Sequence, residues 1–385
     1  MQGSIRRRTE QFIENRRRIE RTFRLSAPQT HCLCALLLGL DDHDADLQSI
    51  RRGRRILRRN TGVFSAFRGL GMAPAAIKIG QREDGEQRLN DAKDNLKKLK
   101  AAGFAATDYL CPAAFLMAKC HDRADEVAGS AYAHWQEMQH AHRILTGGED
   151  VMFAVLFAMY GADVAETAAR ADTAMEMLSV RFGRTNVAQM ASFAIALSDQ
   201  PADLLAERTE RLYDAVRMAG IKNREMLDLP LLAFLAALDV PETETAELIA
   251  EIAVCLKEQK GFSTMRVGRC QRLFYATALA AIDALHAAPL EEKDLAKKRD
   301  LLQTVMLSGI LLFVAASMAA SGVECCSERK RVWKTSSRSM QNCGLKSAST
   351  SKRDRRCCCS RRSIRRRSPA CARTLRMKTA AARSS

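Results

Sequence analysis

Three short constellations in this sequence have residue types that could do chemistry. Asp42, Asp44 and Asp46, in the stretch DDHDAD, alternate as the first ligands of a calcium loop do. Counted from Asp42, however, the sixth position is Leu47 where such a loop turns on glycine, and the twelfth is Gly53 where it closes on glutamate. The three aspartates also precede a segment rich in arginine, so acid at a helix start and base at its end account for them through the helix dipole. His31, Cys32 and Cys34 offer imidazole and thiolate within one helical turn, but structural zinc takes four ligands and no second pair follows. They lie in an apolar run, His31–Leu40, and are expected in its core. His134, His140 and His142 are the third set. His134 continues the series Val127, Ala131, Met138, Ala141, Leu145 and is expected as a core histidine with one nitrogen hydrogen-bonded, while His140 and His142 face different ways.

No nucleophile elbow, phosphate loop, dinucleotide fingerprint or H-E-x-x-H motif occurs. No catalytic residue, cofactor or metal is therefore expected. What remains is arginine. Arg6–Arg8, Arg16–Arg18 and the group Arg51, Arg52, Arg55, Arg58 and Arg59 form basic clusters. The last group is the candidate anion-binding set. Charge of this kind is enough for salt-sensitive contact with phosphates. Glu10, Glu14 and Glu20 balance part of it, and no aromatic residues interleave to stack bases.

The net charge of +17 is not spread along the chain. Residues 327–385 hold 19 Lys and Arg against Glu328 and Asp354, which leaves residues 1–326 with 42 basic and 42 acidic groups. Cysteine divides similarly, seven of 13 lying at or beyond Cys325. The other six sit mostly in apolar stretches, the pattern of reduced, buried thiols. With a charged N-terminus and no secretory leader in view, a cytoplasmic location is expected.

The elements that would position these residues recur. Apolar helical segments end near Leu40, Ile79, Ala118, Met159, Leu197 and Leu238, at spacings of 39, 39, 41, 38 and 41. Glycines at 62, 103, 147, 183, 220 and 261 repeat at 41, 44, 36, 37 and 41. Between each apolar segment and its glycine lies an amphipathic helix, such as Val164, Ala168, Ala171, Met175, Leu178 and Phe182 with charges opposite. A helix without a polar face must be surrounded by others. The fold class expected is all-α: stacked helix-pair repeats of about 40 residues, solenoid-like or as a compact helical array. Each unit reads as an apolar helix, an amphipathic helix and a closing glycine, with Phe115, Leu116, Phe153, Leu156, Phe193, Ile195, Leu232 and Leu235 in the core. The glycines are expected in left-handed conformation at helix ends.

Residues 1–24 read as a leading helix, residues 25–323 as the helical domain and residues 324–385 as a disordered Arg/Ser/Cys-rich tail. Tail runs such as RRCCCSRR read as GC-rich DNA translated out of frame. Leu301–Val323 holds no charge over 23 residues, long enough to span a bilayer. Gln303, Thr304, Ser308, Gly309 and Ser317 favour instead a terminal helix packed on the last repeat.

The stretches Asn60–Gly69, Ala113–Ala118 (AAFLMA), Ala194–Leu204 (AIALSDQPADL), Leu231–Leu238 (LLAFLAAL) and Glu258–Phe262 (EQKGF) resemble a bacterial family, the domain of unknown function numbered four thousand and three. The resemblance runs over roughly residues 8 to 320. It implies a bacterial origin and an all-helical fold, and carries over no activity.

Helical arrays present extended surfaces, which points to a protein-binding or scaffold role with a protein partner. A nucleic-acid or anionic-surface binder acting through the arginines is one alternative. An enzyme with its site in an inter-helix groove is the other. Deleting residues 325–385 is expected to leave helicity and melting temperature nearly unchanged, measured by circular dichroism. The same truncation should sharply weaken any DNA or RNA binding by the full chain.

Overall fold

The computed structural model describes residues 3–24, 26–62, 65–69, 71–221, 226–262 and 267–320. All of them belong to one of two units of the chain, residues 1–345. The tail, and the end of the apolar run beyond residue 320, lie outside the described residues, as do Val63 and Phe64 of Asn60–Gly69. Among the described residues there is no strand. The helices are α1 (Gly3–Thr22), α2 (Pro28–Leu40), α3 (Leu47–Asn60), α4 (Met72–Gly80), α5 (Gly85–Ala102), α6 (Leu110–Met117), α7 (Ala124–His142), α8 (Val151–Met159), α9 (Val164–Phe182) and α10 (Asn186–Ala196). They continue with α11 (Ala202–Met218), α12 (Leu229–Ala236), α13 (Glu242–Glu258), α14 (Arg269–Ala287) and α15 (Glu292–Ala320). No helix of the described residues is long and apolar enough to cross a membrane.

Two kinds of helix alternate, as their composition dictates. Every residue of α8 and of α12 is buried, whereas α9 buries one stripe that includes Ala171, Met175, Leu178 and Phe182. Of the expected core residues, Leu116, Phe153, Leu156, Phe193, Ile195, Leu232 and Leu235 are buried. Phe115 is the exception. It is half-buried and stands edge-on to Phe67 at 5.6 Å, because α6 is only two turns long and Phe115 faces the turn before α4.

The register of contacts differs from the expected unit. Each amphipathic helix packs closest on the apolar helix that follows it: α3 on α4, α5 on α6, α7 on α8, α9 on α10, α11 on α12 and α13 on α14. The glycine-bearing turn thus lies inside a contacting pair instead of closing one. Gly103, Gly183, Gly220 and Gly261 have positive φ, but Gly147 has φ −126° and Gly62 is not in the left-handed region. Between α3 and α4 the backbones approach so closely that a side chain is excluded. A Cβ on Gly53 would fall 1.9 Å from the Ala76 carbonyl oxygen, and one on Gly80 2.1 Å from that of Ser49.

The first and last helices meet. α14 contacts both α1 and α2, a contact that an open solenoid, touching only neighbour to neighbour, does not make. α15 does not pack on the final helices alone. It touches α2, α8, α10, α12 and α14, the apolar helices from one end of the chain to the other. Leu302, Val305, Met306 and Ile310 are fully buried there.

Four consecutive residues of α15 fix its place. Lys297 Nζ binds Asp199 at 3.1 Å, Lys298 Nζ donates to the Ala237 carbonyl at 3.1 Å, and Arg299 Nη2 donates to the Leu40 carbonyl at 2.7 Å. Asp300 is 1% exposed, accepting the Tyr160 hydroxyl at 2.9 Å and pairing with Lys119. The two lysines and the arginine meet polypeptide at or just beyond the C-termini of α10, α12 and α2, where the helix dipole favours cations. Replacing Asp300 with Ala leaves the Tyr160 hydroxyl without an acceptor. The expected loss is about 2–3 kcal/mol, less than for a fully buried pair because Lys119 can turn to solvent. A fall in the urea midpoint checks this, with Asp300→Asn falling less.

Candidate anion-binding groove

The metal-like constellations dissolve into structural contacts. Asp46 caps α3, accepting the Gln48 and Ser49 amides at 3.0 and 2.9 Å. Asp42 pairs with Arg8 at 3.6 Å and Asp44 accepts from Gln11 at 3.1 Å, so the three carboxylates serve three different partners. His31 Nε2 lies 2.8 Å from the Phe23 carbonyl, and Cys32 and Cys34 are fully buried, burial pushing the Cys32 thiol up to about 12. His134 is in the core with Nε2 at 3.1 Å from the Ala162 carbonyl. Among the described residues no group of three His, Cys, Asp or Glu is placed to hold a metal ion.

The arginines separate into structural and free sets. Arg8 is spent on Asp283 at 2.9 Å, and Arg18 on Glu14 at 2.9 Å. In the candidate set, Arg52 donates to the Gly80 and Arg82 carbonyls at 2.5 and 2.9 Å, closing the C-terminus of α4. Arg51, Arg55, Arg58 and Arg59 are exposed on α3 and form no ion pair among the described residues. The neighbouring Arg54 donates to the Thr22 carbonyl at 3.2 Å and lies over the Phe23 ring at 5.6 Å, tying α3 to the end of α1.

The other basic cluster, Arg16–Arg18, is brought against a distant part of the chain. Neighbouring amphipathic helices touch in the series α1 on α3, α3 on α5, and so on to α11 on α13. Between α1 and α13 there is a groove instead. One stretch is lined by Arg6, Glu10, Ile13, Arg17, Cys255 and Gln259. The next is lined by six cationic side chains, Arg16, Arg17, Arg21, Arg24, Lys257 and Lys260, against two carboxylates, Glu20 and Glu258. Arg17 and Gln259 belong to both stretches and meet at 3.5 Å, so the groove is continuous. Its wider stretch holds about 1670 Å³ counted out to solvent, room for a side chain and more. Arg21, Arg24, Lys257 and Lys260 form no ion pair among the described residues.

Arg16 is the unusual member. The buried residues of α1 are Ile5, Thr9, Phe12, Ile13, Asn15, Arg16 and Ile19, followed by Phe23, so a guanidinium occupies a core position at helical spacing. It is 2% exposed, its carbon 4.8 Å from the centre of the Phe262 ring. The Glu20 carboxylate stands 3.6 Å from Nη2, beyond hydrogen-bond distance. Nε and Nη2 are covered and have no hydrogen-bond partner. Residues 257–261, on the far wall, overlap the EQKGF stretch, Glu258–Phe262. Lys257, Lys260 and Gly261 were not among the candidates because nothing in the sequence joins them to α1, although the arginine at a stripe position was there to be seen.

A second buried polar cluster lies at the start of α8. Glu149 and Asp150 are each 2% exposed. Asn186 donates to Glu149 at 3.1 Å, the Gly147 amide donates to Asp150 at 2.8 Å, and Gln189 donates to Thr146 at 3.0 Å. Burial holds both carboxyls above their ordinary range, and the Glu149 charge adds to this at Asp150. The sequence signal was two acids opening a helix with no polar residue, a position favoured by the dipole but here also covered.

The family model described as Protein of unknown function (DUF4003) matches residues 15–319, and the chain belongs to that family. No curated protein and no solved structure matches it.

Because the fold raises the two buried carboxyls, it favours their protonated forms. Its stability should therefore fall as pH rises from the ordinary carboxylate range near 4 through the raised values. The double variant Glu149→Gln, Asp150→Asn removes that titration while keeping shape. Its melting temperature should exceed that of the parent at about pH 8, with the difference closing towards about pH 4.

Proposed function

We propose that this member of the family works by binding, and that the groove between α1 and α13 seats an acidic segment of a partner protein. The observation that carries this reading is the groove's lining: six cations against two carboxylates, with Arg21, Arg24, Lys257 and Lys260 unpaired among the described residues. Like charges held together around a concave surface raise the potential there and draw an oppositely charged ligand. A peptide suits the groove better than a nucleic-acid strand does. Its lining has no aromatic ring on which a base could stack, while Ile13, Cys255 and Gln259 offer apolar and amide contact to side chains and backbone.

One observation favours a second reading. Arg51, Arg55, Arg58 and Arg59 follow one another along an exposed part of α3, and contact with a phosphate backbone needs only such charge. Under that reading nucleic acid is held on α3, outside the groove.

Charge reversal separates the two. The full chain should bind a fluorescent acidic peptide, and reversal of Arg21, Lys257 and Lys260 to Glu should weaken it about tenfold or more, with reversal of Arg55 and Arg58 having little effect. Loss only on α3 reversal, accompanied by binding of a single-stranded oligonucleotide, would favour the second reading. Equal loss from both would place binding in general charge instead of in the groove.

A further inference from the structure

We propose that the groove is a phosphoryl receptor, with Arg16 at its floor reading a phosphorylated side chain on the acidic segment; this rests on the groove being the binding surface. A guanidinium at a core position ordinarily has its donors met, because each covered donor left empty forfeits the hydrogen bonds that water gave it. Arg16 has two covered nitrogens without a hydrogen bond, and its guanidinium faces the Phe262 ring and the Cys32 thiol and is ion-paired with Glu20 at 3.6 Å. Two carboxylates do not balance the six cations of this stretch, so an anion entering it meets net positive charge with Arg16 at the floor.

Arg16 meets the groove beside Gly261. A Cβ built on Gly261 would fall 2.4 Å from Nη1 of Arg16, and Gly261 itself lines the groove at φ +94°. Only a residue without a side chain lets Nη1 lie against that wall. Around this point stand Lys257 and Lys260 from one side and Arg17, Arg21 and Arg24 from the other. One carboxylate brings a single charge and two acceptor oxygens. A phosphoryl group near neutral pH brings close to two charges and three acceptors, which matches a guanidinium fork flanked by the exposed ammonium groups of Lys257 and Lys260. Lysine at position 16 would keep the charge but lose the planar fork, so the two are not equivalent there.

The experiment uses the full chain and three peptides of one acidic sequence, carrying phosphoserine, glutamate or serine at the central position, read by fluorescence anisotropy. The phosphoserine peptide should bind about tenfold more tightly than the glutamate peptide. Arg16→Lys should erase that preference while still binding both peptides, and circular dichroism establishes that the variant is folded. The exposed pair Lys257→Glu, Lys260→Glu, which leaves the core untouched, should reduce the preference as well. Equal binding of phosphoserine and glutamate peptides by the parent chain, or a preference that survives in both variants, overturns the proposal while leaving the groove as an acidic-segment site. Binding of none of the three peptides overturns the groove reading itself. Inorganic phosphate that competes as strongly as the phosphopeptide overturns the assignment to a protein segment.

Discussion

The arrangement of this chain depends on one buried carboxylate. Asp300 holds Tyr160 and Lys119, partners 140 and 181 residues away in sequence, at a point where it is almost fully covered. The three residues before it reach the ends of three more apolar helices. A helix of leucine, valine and methionine would be content in any apolar surroundings, since burial has no direction. The run from Lys297 to Asp300 supplies direction and depth. It fixes which end of α15 enters and which helix lies on each side.

That placement has a consequence for the surface. With α15 among the apolar helices, α14 packs on α1 and α2, so the last helices are brought to the first. The amphipathic helices outside them do not all follow. α13 meets α11 and α14 and leaves a groove where it faces α1. The basic residues of α1 and the lysines at the end of α13 are each ordinary cations near a helix C-terminus, where the dipole favours them. Only because the two ends of the chain meet do they face one another, with too few carboxylates between them.

The sequence made the helices legible and their neighbours largely not. The stripe from Val164 to Phe182 and the unbroken apolar run of α8 follow from period and composition, which are local properties. The pairing register is not legible in the sequence, because a glycine at φ +70° or +94° terminates a helix without saying which neighbour that helix will touch. The apolar run from Leu301 announced burial, but not that its contacts would include α2 and α8. Gly53, counted against a calcium loop, proved to be the place where two helix backbones touch. Of the candidate arginines, Arg52 went to backbone carbonyls, a use that depends on where the end of α4 lies. Arg16 and the EQKGF stretch were each visible, and what joined them was tertiary.

Position 16 also bears on what the groove is for. The other buried residues of its helix are isoleucine, phenylalanine, threonine and an asparagine, Asn15, whose amide donates to the His43 carbonyl at 3.0 Å and accepts the Ala45 amide at 2.7 Å. Thr9 turns its hydroxyl back to the Ile5 carbonyl at 2.8 Å and so satisfies itself within the helix. Arg16 has an ion-pair partner one turn on in Glu20, but its Nε and Nη2 are covered without a hydrogen bond. For folding alone, a methionine or leucine would fill the same place beside Phe262 and Phe12 without a charge to shelter, and replacing buried ionic groups by apolar ones is often neutral or stabilising. The buried polar residues Thr9 and Asn15 of α1 are hydrogen-bonded, and the one buried charge, beside the groove, breaks the local rule where a ligand could use the break. Gly261 points the same way, because a side chain there would collide with the guanidinium where it meets the groove.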